Sequence, residues 1–497
     1  MHRRRFLALL GGAAAAGCSS PEAGVGTDQR TLTPVDVPAT ETTTPGSGEP
    51  ILSRGRFGEA SIVNLRTGPR TVSLFPVRFG GDGLQVELRF TTTATFTHPA
   101  RLTATVSNTD PAPTTVSRAA LPPFDGVLAA DGEGRPAPSG ATPPRQLVPV
   151  TAFDSEDGPA YERGSAGYWR ATASQPSADT TLELDAEESR TLEYVLLGAP
   201  DSEGFSVGQY ATDGPRGSLS LAVWDTGAPG PRRESRFTDR AVPDLPNTDG
   251  TDWFHEATSR TGIFLRPTIE RGSSPATFRF TLVDHTIDPL GGNPEEWKLY
   301  KLVDGKWYRV APWTIELAAG PIAPGETFDY VVAAAHGPAP ECDCTDTGGV
   351  VGRLGGGLYA LEAGYSRVRT SETYAALLRF DAPDLRVEPT EGATVERHED
   401  RTVVTRPEWN DGSGEPTATM TVTRARDLLA RRVLPEQVYR RPYAALRDVV
   451  PYLAETPVVL RTGEELVRDF LGRGVSRRGF SYEGETYVAV EGTGETT

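Results

Sequence analysis

Lysine is almost missing from this chain. Of its 50 basic residues only Lys298, Lys301 and Lys306 are lysines, and the other 47 are arginines. Cysteine numbers three and methionine two in 497 residues. Three thiols cannot build a disulfide framework or a four-thiolate metal centre for a chain of this length. The longest apolar stretch, Phe6 to Ala16, falls well short of the roughly 20 residues that a membrane-spanning helix needs. Positive charge is also scarce: 67 Asp and Glu leave a net charge of −17. Phosphate backbones repel such a body, which argues against nucleic acid as a partner. Glycine (53) and proline (42) are abundant, which excludes a helix-rich protein, and no collagen period organises them. The length implies roughly two to four domains.

An acid excess with so little lysine resembles the composition of proteins from extremely halophilic archaea. Carboxylates bind water and cations, whereas lysine lays a long apolar stem on the surface. In molar salt the Debye length is about 3 Å, so the charge costs little self-repulsion. A GC-rich genome would favour arginine over lysine, but it does not account for the acid excess.

Residues 1–18 read as an export address. A basic start is followed by a short apolar region and small residues. Arg3-Arg4-Arg5-Phe6-Leu7 resembles a twin-arginine signal, with Arg3, Arg4, Phe6 and Leu7 at the matching positions. Ala15-Ala16-Gly17-Cys18 resembles a lipobox, which implies Cys18 as the lipidated first residue of a protein held at the extracellular face of the membrane. Ala15 stands where that pattern prefers leucine, and plain cleavage at the A-x-A of Ala14 and Ala16 stays open. Residues 19–50 are Thr, Pro, Gly, Ser and Glu with little to bury, so they are expected to form a disordered tether. The composition of such a tether would make Thr42, Thr43 and Thr44 acceptors for O-glycans.

From residue 51 the pattern changes to period two. Leu84, Val86, Leu88 and Phe90 alternate with polar residues, as do Leu102, Ala104 and Val106, predicting half-buried strands. Self-comparison adds a repeat. Pro99–Asn108 lines up with Pro275–Asp284, Thr191–Val195 with Thr327–Val331, and Gly208-Gln209-Tyr210 with Gly357-Leu358-Tyr359. The reading is a mainly β chain: β-sandwiches over 51–242, with an insertion near 120–170, and over 243–420. A small Arg-rich α+β module follows over 421–497. Trp297–Val310 is two strands about an Asp304-Gly305 hairpin, followed by Pro324-Gly325-Glu326 and Gly357-Leu358-Tyr359. Together these resemble the bacterial immunoglobulin-like domains of surface lipoproteins, and less closely the intracellular proteinase-inhibitor type of sandwich. The resemblance implies architecture and transfers no catalytic residue.

The C-terminal module reverses the charge. Residues 421–480 hold twelve Arg against seven Asp and Glu, including the pairs Arg431-Arg432, Arg440-Arg441 and Arg477-Arg478. They read as a contact surface for anionic lipid headgroups, a surface glycan or the chain's own acidic sandwiches, or as solvated helix faces whose stems cover apolar surface. Short helices are expected over Leu428–Leu434, interrupted by Pro435, over Tyr443–Leu453, and over Glu464–Leu471. A strand at Val458–Leu460 and a hairpin turning at Glu483-Gly484 complete the module.

Catalytic patterns are missing. His255-Glu256 lacks the second histidine of a zinc-protease helix, and no nucleophile elbow or phosphate loop occurs. Gly355-Gly356-Gly357 precedes a strand. Cys342-Asp343-Cys344 supplies two thiols, fewer ligands than a metal site needs, and Asn247, Asp249 and Asp252 lack the order of a calcium loop. No cofactor and no metal are expected. The expected function is a lipid-anchored, non-enzymatic surface protein that binds a protein or glycan or builds the envelope. A protease-inhibitor-like module is the alternative. An enzyme using Glu464 or Glu465 beside the arginines is a third reading without positive support.

Overall fold

The computed structural model describes residues 50–492, except 56–57, 118–126, 129–144, 150–159, 174–180, 201, 203–204, 215–216, 314–319, 341–346, 368–371, 408–417, 427 and 456. The chain is mainly β, as its period-two patterning predicts, and its strands are divided among several separate sheets.

Three apolar cores organise those sheets. In the first, a five-stranded sheet containing Arg70–Phe75 and Gly217–Asp225 faces an eight-stranded sheet built on Leu84–Thr92, Ala100–Asn108 and Ser189–Gly198. Val72, Leu74 and Leu221 from one sheet meet Val86, Leu102 and Tyr194 from the other. Alternation along Leu84–Thr92 runs buried, then exposed or half-buried, up to Phe90. One face of each sheet is thereby closed by its partner. In the second core, a four-stranded sheet with Ala276–Asp284 and Thr327–Ala334 packs on a six-stranded one with Lys298–Val303, Gly357–Glu362 and Glu372–Asp381. Here Glu372–Asp381 breaks the alternation, since Thr373–Leu378 are all buried. The irregular stretch before Gly250 supplies the cover. Leu245, with Phe237 and Val242, packs on Trp253, Tyr300, Trp307 and Leu377. The Trp307 indole donates to the Pro243 carbonyl at 2.8 Å. The third core lies under a seven-stranded sheet whose inner strands are Val458–Thr462, Ala418–Arg424 and Glu485–Gly492.

Local elements of that last region correct the expectation in part. Arg431–Arg432 is a short strand, and Pro435 opens the helix Pro435–Val438 instead of interrupting one. A proline has no N–H to lose at a helix start, so it belongs there. The stretch from Tyr443 forms the 3-10 turns Ala444–Asp448 and Val450–Glu455. Glu464–Leu471 is helical and Val458–Thr462 is a strand. Glu483 and Gly484 turn the last hairpin at φ 49° and 88°, as Asp304 and Gly305 turn theirs at 47° and 72°.

The two paired-sheet cores repeat one strand pair. Ala100–Asn108 pairs antiparallel with Ser189–Gly198 so that Ala100 faces Leu196 and Ser107 faces Ser189. Ala276–Asp284 pairs with Thr327–Ala334 so that Ala276 faces Ala334 and Val283 faces Thr327. Each register thus matches Ser189 with Thr327, two residues from the sequence alignment of Thr191 with Thr327. The turns fix this. Glu187 (φ 60°) falls on Gly325 (φ 83°), and Glu188 falls on Glu326. Their carboxylates accept the backbone N–H three residues earlier, from Asp185 at 2.7 Å and Ala323 at 2.8 Å. A slip of two residues keeps every side chain on its face, so hydrophobic alternation alone cannot detect it. The third anchor matches atom for atom. The Tyr210 hydroxyl donates to the Ser206 carbonyl at 2.9 Å and Tyr359 to that of Gly355 at 2.6 Å, each four residues back.

One matched position differs in charge. Asn108 is buried, its Oδ1 accepts from the N–H of Asp110, and its amide donates to the carbonyls of Ala112 and Asp185. Asp284 takes its place, 1% exposed, with Oδ1 accepting from Thr286 and Oδ2 lacking a hydrogen-bond partner. Burial pushes its carboxyl up to about 7 against those bonds. The folded state therefore holds a proton that the unfolded chain releases, and the contribution of Asp284 to stability falls as pH rises from about 4 through 7. Asp284→Asn should melt with wild type near pH 4 and be more stable above pH 7. The gap should be at most on the order of 4 kcal/mol, because it grows by about 1.4 kcal/mol for each pH unit crossed between those limits. Urea denaturation across that range measures it, and a gap that does not widen with pH rejects the assignment.

Candidate functional site

The sequence-derived positions are placed first. Arg3, Arg4, Phe6, Leu7 and Cys18 lie outside the described residues, as do Cys342 and Cys344. The expected insertion at 120–170 is largely outside them too. His255 is buried in the second core region, and its Nε2 donates to the Arg240 carbonyl at 2.9 Å. Burial lowers its pKa and keeps the ring neutral. Three other rings are held by carbonyls in the same way: His98 by Pro99, His285 by Pro229 and His336 by Leu354. Among the described residues no group of three or more His, Cys, Asp or Glu is arranged to hold a metal ion. Glu464 and Glu465 lie on the exposed side of the helix Glu464–Leu471 and pair with Arg468 and Arg441.

Polar chemistry concentrates at the joint between the second core and the C-terminal sheet. Glu436, on the first turn of Pro435–Val438, is 1% exposed. Its Oε1 accepts from Lys301 Nζ at 2.5 Å, from the Gly355 N–H at 3.1 Å and from the Tyr359 hydroxyl at 3.4 Å. Burial, with the adjacent carboxylate, drives the Tyr359 hydroxyl well above its usual pKa, so it remains a donor. Gln437, fully buried, bridges the joint by donating to the Arg309 carbonyl at 2.9 Å. Arg440 reaches the carbonyls of Glu436 and Gly352, and Arg432 pairs with Asp304 of the opposite hairpin. The glycine run that cannot cradle a phosphate above a helix thus serves one buried carboxylate.

Beside this joint a cleft of about 490 Å³ opens, lined by Trp297, Trp313, Gly348–Val351, Arg440, Arg441 and Glu295 among others. The Trp313 ring meets the Arg309 guanidinium at 5.3 Å and the Tyr443 ring edge-on at 5.7 Å. Arg441 is bound to Glu465 at 2.8 Å and to Asp469 at 3.1 Å. Among the described lining residues there is no serine, threonine, cysteine or histidine. The surface is suited to holding a flat, weakly polar group, and it presents no nucleophile paired with a base.

Sequence reasoning passed over Glu436 and Lys301. Rarity was the available signal: two of the three lysines meet buried carboxylates, Lys301 on Glu436 and Lys298 on Glu362 at 2.7 Å. The paired arginines were visible, but their targets were not. Arg432, Arg440, Arg441 and Arg478 all contact groups of the chain itself.

No protein-family model matches the chain, and no curated protein sequence is similar to it. Among solved structures it has a distant likeness to a polysaccharide lyase, at 10% identity and a TM-score of 0.13. That match covers 65% of this chain and 35% of the other, so the chain spans about a third of the enzyme's length.

Removing Lys301 leaves Glu436 buried without its cation, which costs about 3–5 kcal/mol for a buried pair. Lys301→Met should lose that much in urea denaturation. Lys301→Arg should also lose stability, because a planar fork replaces a compact ammonium in a nearly closed site. A double-mutant cycle with Glu436→Gln should return a coupling above about 1 kcal/mol, on the order expected of contacting groups. Additive losses would show that the contact does not hold the joint.

Proposed function

We propose that the chain is an exported cell-surface protein, lipid-anchored through Cys18, whose β-sheets form a non-enzymatic body for binding or for envelope structure. The observation that carries this reading is the use of its buried carboxylates. Six are buried among the described residues: Glu270, Asp284, Glu326, Glu362, Glu436 and Asp448. Each accepts hydrogen bonds from the chain itself. Glu270 holds Ser235 and Arg236, Glu362 holds Lys298 and Tyr300, and Asp448 holds Thr390 and Arg406. Glu270, Glu362, Glu436 and Asp448 fasten one segment to another, and Asp284 and Glu326 brace their own turns, which is structural use.

The immunoglobulin-like reading of the first two cores draws on the repeated strand pair and on the twin tyrosines bound four residues back. That bond resembles the tyrosine corner of immunoglobulin-like sandwiches. The membrane reading rests on residues 1–18. No helix among the described residues is long and apolar enough to cross a bilayer.

Mass spectrometry of the mature N-terminus from the native host tests this directly. A diacylglyceryl group on Cys18 is the expected result. A chain beginning at or before Gly17, or an unmodified Cys18, would overturn the anchor.

A further inference from the structure

The C-terminal sheet carries an edge whose chemistry differs from the rest of the molecule. Of eight exposed large hydrophobic residues among those described, three fall here: Leu429, fully exposed, Val475 at 46% and Val490 at 39%. Register brings them together. Val490 faces Arg477 across the hairpin, so their side chains share one face of the sheet. A Cβ on Gly479, two residues along that strand, would strike Leu428 and approach the Leu429 carbonyl. The segment carrying Leu429 therefore crosses the same face. Val475 lies two residues before Arg477, in the turn that follows the helix Glu464–Leu471. Arg473 and Arg477 are exposed around these residues, and neither forms an ion pair among the described residues. Arg431 pairs with Phe480, which is buried in the third core, so register sends it to the opposite face. Glu491 follows Val490, and alternation sends it to the opposite face.

We infer that this edge seats the protein on an anionic lipid surface. Protruding aliphatic side chains ringed by unpaired guanidinium groups are what an interface of acyl chains and phosphates accepts: the aliphatics enter the acyl boundary and the arginines meet the headgroups. Charge complementarity selects the occupant. In a chain that bears −17 overall, this edge sets exposed guanidinium groups beside protruding aliphatic side chains, the pairing an anionic bilayer attracts. Arg432, Arg440, Arg441, Arg468 and Arg478 of the same module are engaged by groups of the chain itself, whereas Arg473 and Arg477 act outward beside the aliphatic side chains. The inference deepens the membrane reading by naming the face that touches the bilayer, but it does not need the lipid on Cys18.

The test uses the full chain with Cys18→Ser, so that no acyl group is attached, in low-salt buffer with phosphatidylglycerol or phosphatidylcholine vesicles. Co-sedimentation with phosphatidylglycerol and not with phosphatidylcholine is expected. Arg473→Gln with Arg477→Gln should weaken binding roughly 25-fold, at about fivefold per arginine. Leu429→Asp should weaken it by a similar factor without lowering the melting temperature, because that side chain is fully exposed. Failure to sediment with phosphatidylglycerol, equal binding by these variants, or binding to a soluble anionic polysaccharide in place of vesicles would each overturn the inference. Failure of Cys18 lipidation in the native host would leave this result standing, so the two readings fall separately.

Discussion

Lys301 meets Glu436 where water is almost excluded, and the placement of the C-terminal sheet depends on that contact. Two ions taken out of water lose several kcal/mol of hydration each, and their attraction compensates only if the remaining lone pairs are also filled. The site meets that demand chiefly with the Gly355 N–H at 3.1 Å, the Tyr359 hydroxyl lying farther off at 3.4 Å. Tyr359 in turn donates to Gly355, so one glycine run and one tyrosine serve both the second core and the joint. Gly355 also has to remain glycine, because a Cβ there would press on Glu436 and on Leu385.

The joint between the first two cores is built differently, mostly from neutral groups. Trp224 stacks on His285 at 5.4 Å with rings 6° from parallel, and Gly325 lies against Ala222, Trp224 and Ser73. The Ser73 hydroxyl donates to Pro324 and the Thr327 hydroxyl to Gln209. The neighbours Asp284 and His285 carry opposite pH dependences. Burial lowers the His285 ring to about 4 and raises Asp284 to about 7. Folding thus excludes a proton from one and retains a proton on the other, and between about pH 4 and 6.5 their contributions to the slope cancel. The joint tolerates acidity better than a buried histidine alone would allow.

Charge is divided by purpose. The acidic residues that dominate the composition stay mainly on the surface, and the few that enter the interior are held by a lysine, an arginine, a hydroxyl or a backbone N–H. Arginine does the reverse in the C-terminal region: it binds carbonyls and aromatic faces of its own chain, as Arg447 does at the Tyr439 ring, at 5.1 Å. A planar, weakly hydrated cation is suited to such stacking, and a lysine is not.

The strands were legible because a half-buried sheet writes its face into every second residue. Leu84 to Phe90 and Ala276 to Asp284 announce themselves in that way, and the Asp-Gly and Glu-Gly hairpins follow from residues that accept positive φ. Register was not legible to within two residues, since a slip of two preserves the pattern. The helix expected over Leu428–Leu434 failed because a sheet edge offered that segment a strand partner at Phe480 and Ser481. Glu436 could not be recognised as buried, because its donors come from residues 135 and 81 positions away. The sequence by itself determined the β class, the turns and the excess of acid, for these rest on neighbours along the chain. Only the tertiary structure decided which carboxylates are buried and which arginines face outward, for burial is set by what distant strands bring to the same place.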